Sequence, residues 1–120
     1  MKIRIKSNSL RYRLTRTDIA RLAEVGYLED KVKFAEQTLM YAAKIVDNDE
    51  PLTASFKNDT ITLFMPKSMI TELIDTDRVG FESNDGPLNL LVEKDFTCLE
   101  NVAEDQSDNY PNPLAKKYHE

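Results

Sequence analysis

The sequence predicts a mainly β, α+β fold: a pseudo-two-fold barrel built from two ββαββ repeats with two short helices. Three observations predict it. Slid along itself by 51 positions, the chain repeats its apolar pattern, so that Leu10, Tyr12 and Leu14 fall on Ile61, Leu63 and Met65, and Ile19 and Leu22 on Ile70 and Leu73. A fixed internal period sets the architecture ahead of local detail. Short runs alternate apolar and polar residues, as half-buried strands do. Each repeat, at about fifty residues, buries too little alone, so the two must share one core. An open α+β sheet with both helices on one face is the competing arrangement.

The elements follow in order. Lys2-Ile3-Arg4-Ile5-Lys6 alternates strictly, Ser7-Asn8-Ser9 is turn chemistry, and Leu10 to Leu14 alternates again. This is a hairpin with Ile3, Ile5, Leu10, Tyr12 and Leu14 on one face and the basic residues Lys2, Arg4, Lys6, Arg11 and Arg13 on the other. Thr15 or Thr17 caps a short helix by accepting from free backbone N–H groups. Ile19, Leu22 and Ala23 form its apolar stripe, and Gly26 suits its end. Leu28 to Phe34 and Thr38 to Val46 complete the first repeat as two strands. The polar run Asp47 to Pro51 begins a linker over 47–52.

The second repeat copies the first. Thr53 to Phe56 and Thr60 to Met65 form a hairpin around Lys57-Asn58-Asp59. Pro66 suits a helix start, where its missing N–H costs little, and Ile70, Leu73 and Ile74 give the stripe. Arg78 to Glu82 and Leu88 to Glu93 are the last hairpin, across Asn84-Asp85-Gly86-Pro87. The expected core is Ile3, Ile5, Leu10, Tyr12, Leu14, Ile19, Leu22, Phe56, Ile61, Leu63, Met65, Ile70, Leu73, Val79, Phe81, Leu90 and Val92. Residues 1–96 therefore read as one domain of two repeats, 2–46 and 53–95, and residues 97–120 as an acidic tail with few apolar residues.

Composition narrows the function. The net charge of −5 argues against a dedicated nucleic-acid binder, yet the charge is polarised: residues 1–16 hold six basic residues and no acid, and the acids gather toward the end. A single cysteine, Cys98, excludes an internal disulfide and, with no apolar signal stretch, predicts the cytoplasm. No run reaches membrane-spanning length, so no membrane is expected. One cysteine and one histidine, His119, cannot supply a clustered metal site. Asp47-Asn48-Asp49-Glu50 lacks the glycine of a calcium loop, and Asp75 and Asp77 read as turn residues rather than an acid and base pair. With three glycines and no phosphate-cradling loop, the chain is expected to be non-enzymatic and to carry no cofactor.

Thr60-Ile61-Thr62-Leu63-Phe64-Met65-Pro66-Lys67, then Met69 to Ile74, Asp77-Arg78-Val79 and Asn84-Asp85-Gly86, resembles the AbrB/MazE-type swapped-hairpin module. Asn8-Ser9, Arg13 and Leu14 resemble its antitoxin branch. The resemblance covers about residues 2–46 and 53–95. It implies two interleaved ββαββ units, here within one chain, that contact DNA through basic residues of paired strands and helix starts. That points to Arg13 and Arg16 in the first repeat and to Lys67, which matches Arg16, in the second. Phe64 stands where Arg13 stands, and Ser7 and Thr15 replace the usual glycine and proline. The whole chain is also similar to an uncharacterised family of short bacterial proteins that open Met-Lys-Ile-Arg-Ile-Lys and end near Pro-Asn-Pro.

Two functions follow as expectations. One is a regulatory module, monomer or homodimer, that touches the DNA backbone through Lys6, Arg11, Arg13, Arg16 and Lys67 by neutralising phosphate. The alternative is a protein-binding module that has lost DNA binding. Its acidic tail would engage a basic partner through Glu104, Asp105 and Asp108, with Tyr110 and Leu114 as apolar anchors, a layout similar to the toxin-binding tails of such antitoxins.

Overall fold

The computed structural model describes residues 1–96 and 108–111. The chain runs β1 (Lys2–Lys6), β2 (Ser9–Leu14), α1 (Arg16–Val25), β3 (Tyr27–Lys33), β4 (Thr38–Val46), β5 (Thr53–Lys57), β6 (Thr60–Pro66), α2 (Lys67–Asp75), β7 (Gly80–Asp85) and β8 (Leu88–Lys94). The order ββαββ occurs twice, and β1, β2 and α1 each begin 51 residues before β5, β6 and α2.

The repeats exchange hairpins. One four-stranded sheet has the order β1-β2-β8-β7 and the other β3-β4-β6-β5. Each sheet thus combines one hairpin from each repeat. The hairpins are antiparallel, and the seams that join them, β2 with β8 and β4 with β6, are parallel. The two sheets and both helices enclose a single apolar cluster that includes Leu10, Tyr12, Leu14, Ile19 and Leu22 of the first repeat with Leu63, Met65, Ile70, Leu73, Leu90 and Val92 of the second. This closed, shared core replaces the open-sheet alternative. Its source is the strict alternation along β2, β6 and β8, which points every second side chain inward.

Local chemistry fixes the connections. Thr15 caps α1 in a reciprocal box: its hydroxyl accepts from the Asp18 N–H at 3.2 Å and its own N–H donates to Asp18 Oδ2 at 2.9 Å. Gly26 ends α1 with φ of 82°, a left-handed conformation that suits glycine. The turns of the two first hairpins are equivalent. Asn58 and Asp59 both have positive φ, as does Ser7. The second residue of each turn then ties to the neighbouring parallel strand: Asn89 N–H donates to Asn8 O at 3.0 Å, and Met40 N–H to Asp59 O at 2.9 Å. Gly80 is required by close approach, since a Cβ there would sit 2.2 Å from the Val92 carbonyl oxygen.

Several expectations need correction. Ile5, Phe56 and Val79 are not core residues; they are 58%, 68% and 45% exposed. Ile5 and Phe56 are equivalent positions next to the hairpin turns, where their sheets run past the shared core. Val79 precedes β7, which begins at Gly80 rather than at Arg78. Ile74 also faces solvent, and Ala23 is exposed. Conversely, Leu52 lies in the linker yet is fully buried, and Ala42 and Ala43 are both buried on the central strand β4. Pro66 is the last residue of β6 and the cap of α2, not its first helical residue.

Candidate nucleic-acid interface

The outer face of the first sheet carries the charge. Because β2 turns Leu10, Tyr12 and Leu14 inward, it turns Ser9, Arg11 and Arg13 outward. The register then sets three rows across the sheet: Lys2, Arg13, Glu93 and Gly80; Arg4, Arg11, Leu91 and Glu82; Lys6, Ser9, Asn89 and Asn84. The half of the face on β1 and β2 is basic, and the half on β7 and β8 is acidic or uncharged.

Two rows place like charges directly opposite, Lys2 with Arg13 and Arg4 with Arg11. Such pairs each cost up to about 1 kcal/mol. The first row is compensated. Lys2 Nζ lies 3.2 Å from Asp95 Oδ2, a buried carboxylate, and Arg13 Nε donates to Glu93 Oε1 at 3.1 Å. The second row is compensated less well, because Arg11 Nε stands 3.7 Å from the same Glu93 oxygen. Arg4 and Lys6 have no acidic partner among the described residues. Arg4, Lys6, Ser9 and Arg11 together line a concavity of about 120 Å³, room for about four waters or one oxyanion. Beyond it, Asn89 ties the polar half together: its amide donates to Glu82 Oε2 at 2.9 Å and Asn84 Oδ1 at 3.0 Å, and Ser9 Oγ donates to its carbonyl at 3.3 Å.

The structure therefore brings Lys6, Arg11 and Arg13 onto one face and adds Arg4, which the alternation places there. Arg16 and Lys67 lie off that face, at the starts of the two helices, Arg16 just past the end of β2. Lys67 starts α2 and lines a shallow pocket with the last turn of α1, including Val25, and its cap Gly26. Arg16 starts α1, and its guanidinium carbon lies 5.5 Å from the Tyr110 ring centroid. The basic face occurs once. The second-repeat positions equivalent to Arg4, Lys6, Arg11 and Arg13 are Ser55, Lys57, Thr62 and Phe64, so only Lys6 has a basic counterpart on the second sheet.

Part of the acidic tail is docked at the start of α1. Asp108 accepts from Thr17 Oγ1 at 2.9 Å and Thr17 N–H at 3.4 Å, and its carbonyl accepts from Arg16 N–H at 3.2 Å. The hydroxyls of Thr15 and Thr17 hold its carboxyl below the ordinary aspartate range, with Arg16 adding to the effect. Tyr110 N–H donates to Asp95 O at 2.8 Å, and the ring packs edge-on to Phe96 with Lys94 Nζ 5.0 Å from its centroid. Burial pushes the Tyr110 hydroxyl above its usual range. Glu104, Asp105, Leu114, Cys98 and His119 fall outside the described residues. Among those described, no helix is long and apolar enough to cross a membrane.

The fold and face define a duplicated, hairpin-exchanged β module with one basic sheet surface. Residues 1–114 match a family described as a family of unknown function (DUF7009), and the chain belongs to that family. Comparison with curated proteins and with solved structures returns no match.

Proposed function

We propose that this protein is a non-enzymatic regulatory module that binds the phosphate backbone of DNA through the outer face of its first sheet. The observation that carries the reading is the Arg4–Lys6–Arg11 cluster around its concavity, with Arg4 directly opposite Arg11 and no acid in the lining. A solvated strand face gains nothing from concentrating one sign of charge. A row of phosphates turns that repulsion into attraction and releases counterions on contact. The exchange of hairpins between repeats is the arrangement that the AbrB/MazE resemblance implies, and it supports the same reading. So does the docking of Asp108 and Tyr110 on their own barrel, since those two residues are then engaged within the chain rather than presented to a basic protein partner.

The reading is tested by titrating a labelled mixed-sequence duplex with wild type and with Arg4→Gln/Lys6→Gln at low and at physiological salt. Wild-type binding falls steeply with salt, and the double variant binds roughly tenfold more weakly with a shallower salt dependence. Equal binding by the two proteins refutes the assignment.

A further inference from the structure

The chain carries its own anion at the end of the basic stripe. Arg13 closes β2, and Arg16 opens α1 three residues later. The groups gathered at that helix start are those that receive a phosphate oxygen: the N–H groups of Arg16 and Thr17, the Thr17 hydroxyl and the Arg16 guanidinium. The Asp108 carboxylate takes the Thr17 hydroxyl and N–H, its backbone carbonyl takes the Arg16 N–H, and the Arg16 guanidinium lies over the Tyr110 ring. Tyr110 holds the segment down, its ring centroid 5.5 Å from the Arg16 guanidinium carbon and 5.0 Å from Lys94 Nζ, and its backbone hydrogen-bonded to Asp95.

We infer that residues 108–111 are an autoinhibitory strap, in which the Asp108 carboxylate takes the place of a backbone phosphate at Thr17, beside Arg16, and is displaced when a nucleic acid lies along the stripe. The inference rests on the proposed phosphate-binding face and adds its regulation. The strap brings one carboxylate to the site, whereas a duplex brings a line of phosphates that engages Arg4, Lys6 and Arg11 together with Arg16. The duplex therefore wins the competition, at an affinity below that of the unstrapped face. Lifting the strap also frees Tyr110 from the α1 side of the barrel, so binding is read out at a position remote from the concavity.

The test uses the full chain, labelled mixed-sequence duplex and five proteins: wild type, Asp108→Ala, Tyr110→Ala, Asp108→Ala/Arg16→Ala and Arg4→Gln/Lys6→Gln, each checked for a native melt. Asp108→Ala and Tyr110→Ala are expected to bind roughly threefold or more tightly than wild type, with a salt slope steeper by about one unit. Adding Arg16→Ala to Asp108→Ala removes the gain. In wild type, duplex accelerates hydrogen exchange of the Tyr110 amide. If Arg4→Gln/Lys6→Gln weakens binding while Asp108→Ala binds as wild type does and the Tyr110 amide stays protected, the strap is refuted and the phosphate face stands. If none of the proteins binds duplex at low salt, both fail.

Discussion

Arg13 and Glu93 meet across the parallel β2–β8 seam, Nε to Oε1 at 3.1 Å, although 80 residues separate them in the chain. The same oxygen lies 3.7 Å from Arg11. One acid from the last strand thus restrains two arginines of the second. All three side chains are partly exposed, and ion pairs in that setting contribute about 0–1 kcal/mol. Glu93 acts more on the charge of the face than on stability.

Glu93→Gln should therefore release Arg11 and Arg13 for phosphate. Duplex affinity at low salt rises roughly fivefold, while a thermal melt moves little. Titration and melting of the same preparation check both. Unchanged affinity would place the two arginines off the binding surface.

Leu52 follows Pro51 in the linker but is fully buried, and its carbonyl accepts from Ser83 Oγ at 3.0 Å. Leu52→Ala should cost about 2–5 kcal/mol, as truncation of a core leucine does. Urea unfolding measures it. A loss below about 1 kcal/mol would show that the linker is not part of the core.

At Gly80 the limit is space rather than backbone angle. A methyl group would meet the Val92 carbonyl oxygen and Glu93 Cβ, at 2.2 and 2.8 Å. Gly80→Ala should destabilise by about 1–3 kcal/mol through displacement of β7 from β8. Amide exchange along β7 would rise in that variant and leave β3 unchanged.

Strap docking should depend on pH. Asp108 titrates below the ordinary aspartate range in the docked chain, so docking is favoured once the pH exceeds that range and is lost as the pH falls through the lowered value. The Tyr110 ring resonances should therefore hold their docked positions through the neutral and mildly acidic range and move only as the pH falls through that lowered value. Asp108→Asn should abolish the step.

Much of this was legible in residue order, for a physical reason. Strand side chains alternate, so Leu10, Tyr12 and Leu14 had to oppose Ser9, Arg11 and Arg13, and the repeat carried the same pattern to Ile61, Leu63 and Met65. Alternation records which way a side chain points and not what covers it. Ile5 and Phe56 point inward in pattern but stand beyond the shared core. Leu52 sits in a polar run with no period to mark it. The Glu93–Arg13 contact needs the knowledge that the repeats exchange hairpins. Arg4 is visible in the alternation, while the family resemblance points to the strand–helix junctions at Arg16 and Lys67, which lie off that sheet face. The docking of Asp108 and Tyr110 has no periodic signal, because it rests on a few hydrogen bonds and one ring.

The most direct test of the phosphate face is residue-resolved: side-chain and backbone resonances of the arginines and lysines followed as a short mixed-sequence duplex is added. Arg4, Lys6 and Arg11 should shift first and most, with Ser9, while Thr60, Thr62 and Phe64 on the second sheet stay in place. Shifts confined to the second sheet or to the Lys67 pocket, or none at low salt, would contradict the account.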